Sequence, residues 1–157
     1  MVDVVDQATR SRMMSGIRGK DTQPELALRR ALHRNGIRYR LHGSHLPGRP
    51  DLILPARRVV IFVHGCFWHR HLGCHWCSTP TSNSDFWSAK FERNVARDRE
   101  VLEALHVTGW RVGVAWECGL RAKYLDDTVA RLLIWVRSDS GDFDSGLVRP
   151  QINVPGI

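Results

Sequence analysis

The segment 64–77 has the highest density of metal-binding side chains in the sequence, with three cysteines and four histidines in 14 residues. Structural zinc takes four nitrogen or sulfur ligands in a tetrahedron, and a loop without regular hydrogen bonding gains stability from such a site. Cys118 comes directly after an apolar segment, so it can return to the loop and complete the ligand set. We therefore predict a structural zinc site whose ligands are Cys66, His71, Cys74 and Cys118.

The loop leaves alternatives to this ligand set open. Competing donors are present in Cys77, His69 and His75. A loop without metal would instead hold buried free cysteines and histidines that face solvent. Clustered cysteines beside histidines favour metal over disulfides when the compartment is reducing.

A second candidate site centres on Asp51, which begins one predicted strand and is followed by a second, apolar strand at 59–63. A carboxylate in this place suits Mg²⁺. The second strand carries no acidic residue, so a backbone carbonyl near Val63 is the expected partner ligand. The alternative for Asp51 is an ordinary Pro-Asp turn, a common use of this residue pair.

His69 is the expected proton-transfer group of this site, because histidine exchanges protons near neutral pH. The predicted zinc ligand His71 would fix the backbone beside it. Asp98 can orient the His69 imidazole, or it is a solvent-exposed helix residue between two arginines. Glu25 either caps its helix or holds metal-bound waters.

Aromatic side chains stand in unexpected places near both candidate sites. Phe67 and Trp68 lie inside the polar Cys/His loop, and Trp87 opens the following helix. Exposed aromatic wedges beside a basic surface suit insertion between base pairs, which selects weakly stacked or mismatched steps. The alternative is that these rings pack around the zinc loop.

The elements that must position these residues follow from hydrophobic spacing and from turn residues. Thr22 and Glu25 have capping-box spacing with Pro24 in the first turn, and Gly36 is a stop signal, so they bound one helix. Three neighbouring strands predict a hairpin meander, and a strand after a long helix predicts a parallel crossover. The predicted order is a basic helix at 7–18, a helix ending at 36, strands at 39–41, 51–54 and 59–63, a helix from about 85 to 109, a strand at 110–116, a helix at 125–136 and a flexible tail at 138–157. The expected fold is therefore α/β, a mixed sheet with helices on both faces.

The charge of the chain is concentrated in its first part. The 157 residues carry a net charge of +7, with 23 basic and 16 acidic residues, and residues 1–60 hold the whole excess. Arginines dominate, which suits bidentate contacts with phosphates; the alternative is a basic surface without a polyanion partner. No run approaches the roughly 20 apolar residues of a membrane span, and the first residues do not form a secretory signal. We therefore expect a cytoplasmic protein without a membrane partner.

These residues together resemble the very-short-patch repair (Vsr) endonuclease family over about residues 3–137. The most specific blocks are Gly-Arg-Pro-Asp at 48–51 and His-Gly-Cys-Phe-Trp-His at 64–69. The resemblance implies a single nuclease domain over 1–137 with a restriction-endonuclease-like fold. It implies Mg²⁺-dependent nicking of DNA 5′ to the thymine of T:G mismatches that arise from deamination of 5-methylcytosine.

Carried over position by position, the resemblance also implies the roles of individual residues. Asp51 and the Val63 carbonyl would bind Mg²⁺, although the family has a familiar threonine in place of Val63. The implied catalytic groups are Asp51, His69, His64, Glu25 and Asp98. The implied DNA contacts are the wedge of Phe67, Trp68 and Trp87, and a clamp in the opposite groove formed by Met14 with the basic helix of Arg10, Arg12 and Arg18.

The implied biological setting is a monomer in the bacterial cytoplasm, associated with the nucleoid, that acts before mismatch-repair or polymerase partners. Two alternatives remain at this point. One is a restriction-type endonuclease on the same fold, and the other is a non-catalytic zinc-containing DNA-binding module. Mg²⁺ is the expected catalytic cofactor and Zn²⁺ the expected structural one.

Overall fold

The computed structural model describes residue 6, residues 8 and 9, and residues 21–146. Ala8 and Thr9 are helical, and the backbone N–H of Thr9 donates to Oδ1 of Asp6 at 2.8 Å. The rest of the predicted basic helix lies outside the described residues, together with its candidate DNA contacts Arg10, Arg12, Met14 and Arg18.

Five strands form one mixed sheet in the order β1-β2-β3-β4-β5. Their bounds are Arg40–Leu41 (β1), Leu52–Leu54 (β2), Val59–His64 (β3), Arg111–Trp116 (β4) and Phe143–Asp144 (β5). β1, β2 and β3 are antiparallel neighbours, whereas β3, β4 and β5 pair in parallel. The predicted meander and the parallel crossover after the long helix are both confirmed.

Within residues 21–146, three α-helices cover the two faces of this sheet, and their bounds are Gln23–Arg34 (α1), Ser84–Val107 (α2) and Ala122–Arg137 (α3). Successive side chains of a strand point to opposite faces. Ile61 accordingly packs in the core formed with α1 and α3, whereas Val60 packs against Leu105 of α2. The mixed α/β sheet with flanking helices is as predicted. Within the described part of the chain, none of the helices is long and apolar enough to span a membrane.

The central strand β3 positions the site because of how its sequence ends. Residues 59–62 are apolar and buried, as expected for a strand with helices on both faces. Val63 and His64 are only partly buried, since the strand emerges there at the edge of the packed layers. The Cys/His-rich loop follows directly, so its side chains gather at this end of the sheet.

The start of α1 differs from the predicted capping box. Thr22 is the N-cap, but its side chain makes no capping hydrogen bond. Glu25 is only 2% exposed, and its Oε2 accepts the backbone N–H of Asp21 at 3.0 Å. The carboxylate is drawn inward because it pairs with Arg29, a charge-assisted contact stronger than a neutral cap. The predicted stop is confirmed, because Gly36 has a φ of +76°, a conformation that glycine adopts without strain.

The segment after α3 corrects the predicted boundary of the flexible tail. Residues 143–144 form β5, in register with Gly113 and Val114 of β4. The ring of Trp135 lies 5.7 Å from that of Phe143, and its indole N–H donates to the carbonyl of Gly141 at 2.9 Å. Tertiary packing therefore orders a Gly/Ser/Asp-rich stretch that has no apolar periodicity. The rest of the predicted tail, 147–157, lies outside the described residues.

Candidate active site and metal cluster

A cleft of about 770 Å³ opens at the end of β3, between the sheet and α2. Asp51, His64, His69 and Asp98 all line it, so four of the predicted catalytic residues share one cavity. Glu25 lies outside the lining but acts electrostatically on Asp51. The arrangement arises because β2, β3, the loop after β3 and α2 each deliver one side chain to the same end of the sheet.

Asp51 stands directly before β2, one register position beyond the pair of Leu52 and Ile61. Its Oδ2 accepts the backbone N–H of Val63 at 2.7 Å, which holds the carboxylate beside the exit of β3. Burial raises the pKa of Asp51 from 3.8 to about 6, and the Val63 hydrogen bond opposes that rise. The two predicted Mg²⁺ ligands are therefore neighbours, and the contact seen between them uses the N–H of Val63.

His69 is oriented by Asp98, as its predicted role requires. The Nδ1 atom of His69 lies 2.7 Å from Oδ2 of Asp98, which projects from the middle of α2. A carboxylate accepts hydrogen bonds, so in the neutral form of the ring the hydrogen is on Nδ1 and the lone pair on Nε2. The pair thus has the form of a general base with its orienting carboxylate.

His64 stacks on His69 with the ring centroids 3.8 Å apart and the planes within 3°. Burial, and secondarily the neighbouring His69, lower the pKa of His64 to about 3. His64 is therefore neutral at physiological pH. A neutral ring can stack on His69 without like-charge repulsion, which suits an accessory role.

Glu25 belongs to a charged cluster that sequence reasoning did not predict. The Nη2 atom of Arg29 contacts Glu25, Asp21 Oδ1 at 2.8 Å and His42 Nε2 at 2.8 Å. The spacing of Glu25 and Arg29 by four residues was a signal for their pairing on one helix. His42 arrives from beyond β1, and no local pattern connects it with α1.

The four predicted zinc ligands Cys66, His71, Cys74 and Cys118 come together in one cluster. Their ligand atoms all lie within 4.8 Å of one another. The Nδ1 atom of His71 is 3.6 Å from Sγ of Cys66 and 3.5 Å from Sγ of Cys118. Cys77 packs against the cluster but is not among these four, so the competing ligands named from sequence lie outside it.

The chemistry of this donor set fits a metal such as zinc, which is bound tetrahedrally by thiolates and imidazole. The hydrogen bond with Cys118 and burial both raise the pKa of the Cys66 thiol. A bound cation reverses that preference because it ligates thiolates. The cluster also braces the candidate base, since the N–H of His71 donates to the Cys66 carbonyl at 3.0 Å and the N–H of His69 to the Gly65 carbonyl at 3.1 Å.

The aromatic residues form a packed group beside the cleft. Phe67 contacts Trp68, Trp87 and Phe91 edge-on, with centroids 5.0, 5.6 and 5.2 Å away. Trp87 is only 7% exposed, whereas Phe67 and Trp68 are partly exposed. The structure therefore offers two rings to a ligand, with Trp87 behind them. Phe91, which the sequence reasoning did not include, completes the group.

Cationic side chains line the same cleft. Arg49 lies two residues before Asp51, and Arg97 and Arg99 flank Asp98 on α2. Sequence reasoning placed the basic surface on the first 60 residues and did not single out these three. Their signal was adjacency to the acidic residues of the site. Arginines around the partly buried carboxylates of Asp51 and Asp98 give the cleft the charge pattern of a phosphodiester-binding site.

Comparison with known proteins agrees with this geometry. A family model described as DNA mismatch endonuclease Vsr matches residues 2–76. The chain is 42% identical over 139 residues to the DNA mismatch endonuclease Vsr of Escherichia coli (strain K12), an alignment that covers 87% of this chain and 88% of that protein.

Two type II nicking enzymes are also similar to the chain. V.XorIIP of Xanthomonas oryzae pv. oryzae is 49% identical over 120 residues, which cover 76% of this chain and 88% of the relative. V.NmeAIP of Neisseria meningitidis serogroup A is 39% identical over 123 residues, which cover 78% and 87%. At such identities over most of each protein, the chain belongs to the DNA mismatch endonuclease Vsr family.

Proposed function

We propose that this DNA endonuclease nicks one strand 5′ to the thymine of T:G mismatches formed by deamination of 5-methylcytosine, and so starts very-short-patch repair. The observation that carries the proposal is the convergence of Asp51 and the His69–Asp98 pair on one arginine-lined cleft, with the aromatic group at its side. The groups proposed for hydrolysis and the rings proposed for mismatch selection thus lie side by side.

Asp51 and the Val63 backbone would hold the catalytic Mg²⁺. The fit rests on the chemistry of the donors, because magnesium prefers carboxylate and carbonyl oxygens. A bound Mg²⁺ supplies positive charge that offsets the charge developing on the phosphate during hydrolysis. Asp51 must be ionised for this role. Burial raises its pKa to about 6, but this value is still below neutral pH. Asp51 is therefore a carboxylate at neutral pH.

His69 accepts the proton of the attacking water in the proposed reaction, and Asp98 keeps its Nε2 lone pair directed into the cleft. The hydrogen bond of 2.7 Å between them fixes the tautomer. His64 supports the His69 ring from one side, and Glu25 is the carboxylate that would hold waters of a bound Mg²⁺ near Asp51. Arg49, Arg97 and Arg99 bind the phosphates that flank the cut.

Phe67 and Trp68 enter the DNA beside the mismatch in this proposal, and the buried ring of Trp87 packs behind them. A mismatched T:G pair stacks less well on its neighbours than a Watson–Crick pair does. Unstacking it to insert the aromatic rings therefore costs less free energy. Arg70, whose guanidinium lies 3.9 Å from the Phe91 ring, stiffens the base of the wedge. Met14, Arg10, Arg12 and Arg18 are proposed to clamp the opposite groove and its phosphates.

The ion of the Cys/His cluster is proposed to be structural Zn²⁺, held by Cys66, His71, Cys74 and Cys118. Its function is to fix the loop that carries His69 and the wedge. We further propose a monomeric enzyme at the bacterial nucleoid, whose nick is extended by a repair polymerase or another mismatch-repair partner.

A nicking assay tests this function. Matched duplexes that differ only in a central T:G, T:A or C:G pair are incubated with the protein and Mg²⁺, and strand breaks are measured on denaturing gels. Nicking confined to T:G supports the proposal, and Asp51→Asn is expected to abolish it. Asp126→Asn, which changes an exposed carboxylate of α3, is the matched control and is expected to leave nicking unchanged.

Other outcomes would assign a different activity. Equal cutting of T:A and T:G duplexes in both strands would indicate a restriction-type endonuclease. Tight binding without Mg²⁺-dependent cutting would indicate a zinc-containing DNA-binding module.

A further inference from the structure

A single guanidinium nitrogen lies at the centre of three ligand-type side chains next to Asp51. The Nη2 atom of Arg29 contacts Asp21, Glu25 and His42, whose own ligand atoms lie within 4.8 Å of one another. An Nη2 atom carries only two hydrogens, so it cannot serve three acceptors with ideal geometry. The arrangement resembles the shell around a cation more than a fork-shaped pair between one arginine and one carboxylate.

The Arg29–Glu25 pair is buried, and its geometry indicates that Arg29 serves this site through its positive charge more than through its hydrogen bonds. The side chains of Arg29 and Glu25 are 11% and 2% exposed. Among the residues that the structure describes, Arg29 Nε is a buried donor without a hydrogen-bond partner. An unpaired buried N–H is destabilising, so hydrogen bonding alone does not account for the position of Arg29.

The surroundings also need a cation at this position. Asp21, Glu25 and Asp51 bring three carboxyl groups to one region, and Asp51 and Glu25 are largely enclosed. Glu25 raises the pKa of Asp51, whereas His42 and Arg29 lower it. The guanidinium therefore offsets the electrostatic repulsion between Glu25 and Asp51.

We propose that Arg29 is a positioning residue of the active site, and that its guanidinium fills the place between Asp21, Glu25 and His42 that a divalent ion would otherwise occupy. This inference rests on the proposed function, because Glu25 is held toward the carboxylate that would bind the catalytic ion. The wild-type cluster binds no divalent ion between these three side chains. Removing the guanidinium charge turns the same cluster into an additional divalent-cation site.

Counting bound Mn²⁺ tests this inference without DNA and without turnover. The full zinc-loaded chain is titrated with Mn²⁺, and free Mn²⁺ is measured by electron paramagnetic resonance. Arg29→Gln, which keeps much of the side-chain volume, is expected to bind one more Mn²⁺ per chain than wild type. Arg29→Lys retains the charge and is expected to bind the same number as wild type. Arg30→Ala removes an exposed arginine from the same helix and is the matched control.

The extra ion is located by a second substitution. Adding Asp21→Asn to Arg29→Gln is expected to abolish the additional binding, because Asp21 is one of the three ligand-type side chains of this cluster and has no part in the proposed reaction. Asp21→Asn alone is expected to leave the wild-type count unchanged. An equal count in Arg29→Gln and wild type would overturn the inference.

If the arginine variant fails to fold, the single Asp21→Asn variant decides the matter. An unchanged count supports the inference, whereas loss of one bound Mn²⁺ from it would show that an ion occupies the wild-type cluster, and this would overturn the inference. Failure of the proposed function is recognised separately, because it appears as absent nicking by wild type and not as a change in these counts.

Discussion

Replacing Asp51 by asparagine is expected to stabilise the metal-free protein at alkaline pH while it abolishes nicking. Burial raises the pKa of Asp51 from 3.8 to about 6, so folding favours the protonated form. The stability that this carboxyl contributes is fully present below pH 3.8 and is lost as the pH rises through 6. Asparagine does not ionise, and its carbonyl oxygen can still accept the N–H of Val63.

The size of the effect follows from the shift of roughly two pH units. Each unit corresponds to about 1.4 kcal/mol, so the ionised carboxylate destabilises the folded state by about 3 kcal/mol at pH 8. For a chain of this length, 1 kcal/mol moves the melting temperature by roughly 2–4 °C. Asp51→Asn is thus expected to melt about 6–12 °C above wild type at pH 8 without Mg²⁺, and close to wild type at pH 4.

Thermal unfolding with and without Mg²⁺, from pH 4 to pH 8, measures this difference. Mg²⁺ should raise the melting temperature of wild type at pH 8, because a ligand that binds only the folded state stabilises it, and should leave Asp51→Asn unmoved. If Asp51→Asn is less stable than wild type at pH 8, the ionised Asp51 carboxylate does not destabilise the folded protein, and the prediction is wrong. A difference in melting temperature that does not change with pH would also contradict it.

Four further substitutions test the zinc site, the proton-transfer pair and the wedge. Cys118→Ala should lose the bound zinc and melt at a lower temperature, whereas Cys77→Ala should retain one zinc per chain; metal analysis of both proteins decides, and zinc retained in Cys118→Ala contradicts the ligand set. Asp98→Asn should lower kcat by about 100-fold with little change in KM, since general acid–base catalysis contributes at least that much; steady-state nicking kinetics measure it, and an unchanged kcat removes Asp98 from the mechanism. Trp68→Ala should reduce the preference for T:G over T:A by about 1–3 kcal/mol, the worth of one stacking contact; competitive binding measures it, and an unaltered preference excludes Trp68 from the wedge.

The sequence predicted the parts of this fold that depend on local pattern. The apolar run of β3 follows from burial of this strand on both faces, and the apolar spacing of α2 follows from the helical period. The strand β5 could not be found in this way, because its two residues are ordered by pairing with β4 and not by their own composition. Tertiary contact in that case overrides local propensity.

In the candidate site, too, the features that depend on local sequence were predictable, and those that depend on tertiary contacts were not. The cysteine and histidine density of one loop pointed to a metal cluster before any geometry was known, and Cys118 joined it because a strand ends beside the loop. The inward turn of Glu25 was not predicted, since a capping box and a buried ion pair use the same residue. The partner His42 comes from a different element, and only the fold brings it to α1.

The proposed function requires that the protein nick one strand of DNA at a T:G mismatch, with Asp51 and His69 as its catalytic groups. The most direct measurement uses a duplex with each strand labelled separately, incubated with the zinc-loaded protein and Mg²⁺, and maps the break to the nucleotide. We expect a single break in the thymine strand, immediately 5′ to the mismatched thymine, and an intact guanine strand. Breaks in both strands, or the same break in a T:A duplex, would contradict the proposed function.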